Sequence, residues 1–298
     1  MHLVCRLPRT SQNQPQLPLV QETANGKLVL GRRLDTMQKR RLIIRILVSL
    51  AGMLAVVLTT YLVLLAFPQV LIPRSVRAGV VHLYYDDSPS AQINRLAVDV
   101  DWRLRGSDFY DSLQVYRVFF VRKQGLYTLY CRLAMVTPLA QGFALSLFGN
   151  SFVSETRLNA LGRQTGGYPK YGIWEGDPAH TIAHEIGHLY LTNRIGRSRW
   201  ENLPHWKQEG LPEYIANIAV MREDTLATLK GRVRVLRDDW LWGAGSRWDR
   251  THYEAGLLVE FLLDVQGYSL EQVICANVTK DETLAALIEW CENIASGE

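Results

Sequence analysis

Cysteine is scarce, and its spacing does not suit metal. Cys5, Cys131, Cys275 and Cys291 are the four in 298 residues, and none shows the short paired intervals of a zinc finger, which excludes a thiolate metal site. Cys275 and Cys291 fall on the last two expected helices, where they could pair in an oxidising compartment or stay as buried free thiols. Acidic residues are nearly missing from positions 1–67, which hold two against nine Lys and Arg; from residue 68 onward there are twenty-seven acids against twenty-four bases. The net charge of +4 therefore belongs to the N-terminal part alone, and no nucleic-acid partner is inferred. Internal repeats and low-complexity tracts are also missing, which excludes a repeat array.

Residues 46–67 have no charge at all, twenty-two in a row. As a helix, that run spans about 30 Å of hydrocarbon. It has no polar face, so it does not read as a buried core helix. It is longer than the apolar core of a signal peptide, some forty-five residues precede it, and no small-x-small site follows. Arg32, Arg33, Lys39, Arg40, Arg41 and Arg45 crowd the N-terminal side, while Arg74 and Arg77 closely follow the span. The positive-inside rule then makes 1–45 a cytoplasmic basic tail, flexible over 1–36, with residues 46–67 crossing the lipid once. Residues 75–298 become a domain on the exoplasmic side, periplasmic or extracellular.

The chain is 48% hydrophobic, and that domain is long enough for one good core. β-branched and aromatic patterning predicts strands over 76–85, 115–122, 126–135, 143–153 and 157–161, with an amphipathic helix over 89–105. From Asp177 the pattern turns helical, over 178–195, 209–222, 224–237, 252–266, 270–277 and 282–294. The expected class is α+β, a mostly antiparallel sheet followed by a helical half.

The chemistry concentrates in His184-Glu185-Ile186-Gly187-His188. On a helix the two histidines stand one turn apart on one face, so both imidazoles can converge on one zinc ion while Glu185 points at a water on that ion. The helix itself is well marked. Asp177 reads as its N-cap, Pro178 as its first residue and Gly196 as its stop. A third ligand is still required. A histidine six residues beyond His188 would serve, but Arg194 stands there. A glutamate from a second helix is the other solution, and Trp206-Lys-Gln-Glu209-Gly-Leu-Pro-Glu213 offers one.

This segment resembles the Trp-x-x-Glu-Gly-x-Ala element of gluzincins, the zinc peptidases that include thermolysin and the aminopeptidase-N-like enzymes. The resemblance implies a zincin-like domain with one Zn2+ held by His184, His188 and Glu209, and with Glu185 as general base. Glu213, one turn on, matches the acidic residue that orients a ligand histidine. Thr251-His252-Tyr253-Glu254-Ala255-Gly256 resembles the Tyr-Glu-x-Gly helix start of aminopeptidase-N-like enzymes. It would give Tyr253 the role of oxyanion donor, with His252 as the alternative. His180, one turn before His184, is expected on the cleft wall, and Trp240, Trp242 and Trp248 in the core or at a substrate pocket. Pro212 departs from the family's alanine, so the second helix is expected to start near Glu209 or bend there. The implied activity is hydrolysis of a peptide or protein substrate by a membrane-anchored zinc peptidase. The alternative is a catalytically silent binding or assembly protein of the same fold.

Overall fold

The computed structural model describes residues 29–87, 90–107, 109–165, 177–223, 229–237 and 247–296. Most of the expected N-terminal tail, Trp240, Trp242, the side chain of Trp248 and residues 224–228 of an expected helix lie outside the described residues. The chain divides into two units, Met1–Thr59 and Thr60–Glu298.

Helix α1, Val29–Ala66, belongs mostly to the first unit. From Met37 to Thr59 its side chains are exposed, Leu47, Val48, Leu54 and Val56 among them. The stretch Met37–Ala66 is the one described helix long and apolar enough to cross a membrane.

The second unit is a mixed α/β domain on a five-stranded sheet in the order β1-β2-β3-β5-β4. The strands are β1 (Arg74–Ala78), β2 (Val81–Tyr85), β3 (Tyr116–Val121), β4 (Gly142–Leu145) and β5 (Asn150–Ser154). β1 with β2 and β4 with β5 are antiparallel hairpins, whereas β2 with β3 and β3 with β5 run parallel. The sheet is thus half parallel rather than mostly antiparallel. The cause is the helices between strands: α2 (Ser90–Arg105) carries the chain from β2 back to begin β3 in the same direction.

Four expected strands need correction. Residues 76–85 are two strands split at Gly79-Val80, and 143–153 are two strands split by the turn Ser146–Gly149. Residues 126–135 lie in and just after helix α3 (Gln124–Leu133), because Tyr127, Tyr130 and Cys131 recur at helical spacing and face one aromatic cluster. Residues 157–161 belong to helix α4 (Glu155–Thr165).

Strand β3 shows why the sheet is covered on both sides. Val118 and Phe120 join the larger core, and the alternate residues Phe119 and Val121 join a second one. The second core stacks Phe152 on Phe119, Tyr130 and Phe143, and it takes in Leu65 from the end of α1. The larger core holds α2 and the helical half: α5 (Pro178–Ile195), α6 (Arg197–Glu201), α7 (His205–Glu223), α8 (Leu229–Arg237) and α9 (Arg247–Glu260). α9 runs on as a π-helical turn over Phe261–Val265, followed by α10 (Leu270–Cys275) and α11 (Lys280–Ser296). Cys275 and Cys291 are not joined in a disulfide.

Helix α5 begins as its sequence predicts. Asp177 caps it by accepting from Ala179 N at 2.8 Å, Pro178 fills the first position and Gly196 closes it. Asp177 also pairs at 2.5 Å with Arg103 of α2, whose buried guanidinium donates to Ala216 O of α7 as well. One arginine therefore fixes the start of α5 against two other helices. Asp177→Ala removes the cap and leaves a buried guanidinium without its carboxylate. It should cost about 2–4 kcal/mol, read by urea unfolding of the detergent-solubilised chain; a change within about 0.5 kcal/mol, the range of an ordinary surface substitution, would contradict this.

Candidate metal centre

Helix α7 starts at His205, earlier than Pro212 led us to expect, and keeps the proline in its interior. The ring packs on the neighbouring helix. A Cβ on Gly187 would lie 2.8 Å from the Cα of Pro212, so only glycine admits the approach. Gly187 stands inside the His-Glu-x-x-His segment, directly before His188, and this contact sets how near α7 comes to both histidines. Glu209, one turn before Pro212, is then within reach of them.

His184 Nε2 and His188 Nε2 lie 3.1 Å apart. Glu209 Oε2 is 3.4 Å from the first and 3.5 Å from the second. These three ligand atoms form a group that could hold a metal ion, as the sequence expects for His184, His188 and Glu209. His188 packs edge-on against Trp200.

Glu213 backs the group from one turn further along α7. Its Oε2 is 3.0 Å from His184 Nδ1 and its Oε1 3.0 Å from His180 Nε2, while Asn217 Nδ2 donates to Oε1 at 2.8 Å. An ionised carboxylate only accepts, so Nδ1 of His184 carries the proton and Nε2 faces the cluster. Glu213 therefore touches the ring nitrogen of His184 opposite the one near Glu209. Asn217 escaped the sequence reading, although its place one turn after Glu213 on the same face was a usable signal.

Glu185 is buried, and its carboxylate lies against edge strand β4, where a Cβ on Gly142 would come within 2.8 Å of Oε1. Nothing in the sequence announces that contact, which joins positions 43 residues apart.

The structure places Tyr253 and its neighbour His252 differently. Its hydroxyl donates to Arg232 O of α8 at 3.2 Å, and the ring is buried in the larger core. His252 reaches the cluster instead, with Nε2 3.1 Å from Glu209 Oε2 and its ring 5.6 Å from that of His184. Successive residues of a helix diverge by about 100°. The rotation of α9 thus gives the cluster to His252 and the core to Tyr253. His205 approaches more loosely, 3.7 Å from Glu209 Oε1 and largely exposed.

Burial works against charge throughout this cluster. For Glu209 it is outweighed by hydrogen bonds from His184, His188 and His252, which hold the carboxyl far below its usual range. Against the same penalty, His180 and His184 hold Glu213 well below. Burial would also lower His184, but its bonds to Glu209 and Glu213 raise it to about 10. At Glu185 burial prevails over the nearby His188 and His184, and the carboxyl is lifted above its ordinary value.

Removing the carboxylate behind His184 should loosen any metal. Glu213→Gln is expected to weaken divalent-metal affinity about 10- to 100-fold, measured by chelator competition on the purified chain. Unchanged affinity would show that Glu213 merely packs. No protein-family model matches this chain and no curated protein matches it, which leaves the geometry of these side chains as the ground for a functional reading.

Proposed function

We propose that the chain is a membrane-anchored zinc peptidase with a gluzincin-like, zincin-type layout. The observation that carries this reading is the triangle of His184 Nε2, His188 Nε2 and Glu209 Oε2, with sides of 3.1, 3.4 and 3.5 Å. Zinc bonds of about 2.0–2.1 Å at tetrahedral angles set ligand separations of about 3.3 Å, so one zinc ion fits all three atoms. Three protein ligands leave a fourth position open, as catalytic zinc sites do. The six basic residues before the apolar run and the two shortly after it support a cytoplasmic N-terminus and an exoplasmic metal centre.

When bound, zinc would lower the pKa of a coordinated water to about 7 and polarise a substrate carbonyl. The protein supplies the rest. Glu185 takes the proton from the attacking water and passes it to the leaving amine. Burial lifts its carboxyl above the ordinary value, which makes it a better proton acceptor than a free glutamate. His252 Nε2, which here bonds Glu209, turns its N–H to the oxygen that gains negative charge once that carboxylate holds the metal. Glu213 holds the His184 ring in orientation. β4 is the last strand of the sheet among the described residues, and an extended peptide can pair with its outer edge and pass Glu185.

Two experiments test the assignment on the purified full chain. Glu185→Gln should retain zinc by elemental analysis while cleavage of a peptide library falls about 10²- to 10⁴-fold. Wild-type cleavage in that variant sinks the proposal, and a wild-type chain that holds zinc yet cleaves nothing favours the silent binding protein. His252→Ala should lower kcat about 10²- to 10³-fold with zinc retained, whereas Tyr253→Phe should leave kcat near wild type. The reverse pattern would return the oxyanion role to Tyr253.

A further inference from the structure

Four large apolar side chains stand far out of the second unit: Leu113 at 91% exposure, Met135 at 89%, Leu139 at 72% and Leu147 at 71%. The sheet register sorts them. β3 and β5 are parallel and begin at the same end of the sheet, near Tyr116 and Asn150, and β4 finishes there at Leu145. Leu113 leads into β3 and Leu147 lies in the turn between β4 and β5, so both belong to that end.

The last turns of α1 are fastened at the same place. Asn150 Nδ2 donates to Leu65 O at 2.7 Å, and Arg117 donates to both Ala66 O and Phe148 O. Met135 follows close on Leu133, whose carbonyl accepts from the Tyr61 hydroxyl at 2.8 Å. Phe67, Val70 and Leu71, just after the helix, are exposed apolar residues as well. Leu139 belongs to the opposite end. The carbonyl of the next residue, Ala140, accepts from Tyr127 near the start of α3, and Gly142 pairs with Val153 near the close of β5.

Tyr61 lies inside the uncharged run, six residues before its end at Phe67. A helix rises about 1.5 Å per residue. A carbonyl bonded to that hydroxyl is therefore held near the depth of the helix's last turns, and Met135 with it. We propose that this end of the domain is seated in the head-group region of the bilayer, with Leu113, Met135 and Leu147 reaching toward the acyl chains around the emerging helix. The proposal rests on α1 spanning a membrane and is independent of the metal site. Lipid is the occupant because these side chains lie at the end of the sheet where the apolar last turns of α1 are fastened, and a tyrosine of the interfacial type ties that helix to the residues just before Met135. Asp111, two residues before Leu113, keeps the seating shallow, since a carboxylate stays at the level of the head groups.

The test uses the full chain in phosphatidylcholine vesicles, with Cys5→Ser and Cys275→Ser as background. Single nitroxide labels are placed through Leu113→Cys, Met135→Cys, Leu147→Cys, Leu139→Cys and, on α1, Val57→Cys. Collision with oxygen, which concentrates in lipid, is compared with collision with a water-soluble nickel complex. The oxygen-to-nickel ratio at 113, 135 and 147 should exceed that at 139 several-fold and approach that at 57. A lipid-like ratio at 57 with water-like ratios at 113, 135 and 147 overturns the seating and leaves the span intact. A water-like ratio at 57 as well removes the span and the seating together.

Discussion

Two helices can share one metal only if they come close enough for imidazoles from one to meet a carboxylate from the other. Here the contact that sets that distance is backbone against ring, Gly187 of α5 on Pro212 of α7. The proline breaks a helical hydrogen-bonding rule, and the glycine is an indifferent helix former. Neither residue makes local sense alone. Together they bring Glu209 and Glu213, on one face of α7, against His184 from two sides. A methyl group at position 187 would press directly on that spacing.

The electrostatics follow from the approach. Glu185, Glu209 and Glu213 are gathered with His180, His184, His188 and His252 in a largely buried volume, where an unpaired charge is expensive. The groups settle into complementary states: His184 is raised and Glu209 and Glu213 are lowered, each by the other's presence. A compact cation inserted between the same atoms would satisfy the same carboxylates and leave the imidazoles neutral. Glu185 belongs to the same balance, but there burial outweighs the lowering by His188, His184 and His252. Its carboxylate also lies against β4 at Gly142, which adds to its burial.

The features legible in the sequence are those whose causes are local. Helix α5, its cap at Asp177 and its stop at Gly196 are written in neighbouring residues, and so is the pairing of His184 with His188 one turn apart. The long apolar run needs no partner to be recognised. Other differences from the expected pattern involve distant partners. Residues 126–135 carry enough aromatics to read as a strand, and only the cluster around Phe152 makes their helical spacing decisive. The parallel pairing of β2, β3 and β5 depends on helices α2 and α3 between them, which short-range patterning does not register. Tyr253 and His252 differ by one residue, and nothing local says which way α9 is turned. The hydrogen bond to Arg232 O and the core packing decide it.

The two-sided sheet connects the last turns of α1 to the candidate metal centre. Within β3, Phe119 faces the core that receives Leu65 of α1, and Phe120 faces the core that holds α5. β5 repeats the arrangement with Phe152 and Val153, and Asn150 at its start holds the end of α1 directly. β4 pairs with β5 in register and carries Gly142, the residue against Glu185. The path from Leu65 through Asn150 and β5 to Gly142 consists of one side-chain hydrogen bond, the backbone ladder of β4 and β5 and close-packed aromatics rather than a free linker. Rigid sheets transmit position well. The place of those last helical turns is therefore fixed by the same strands that position the carboxylate of Glu185.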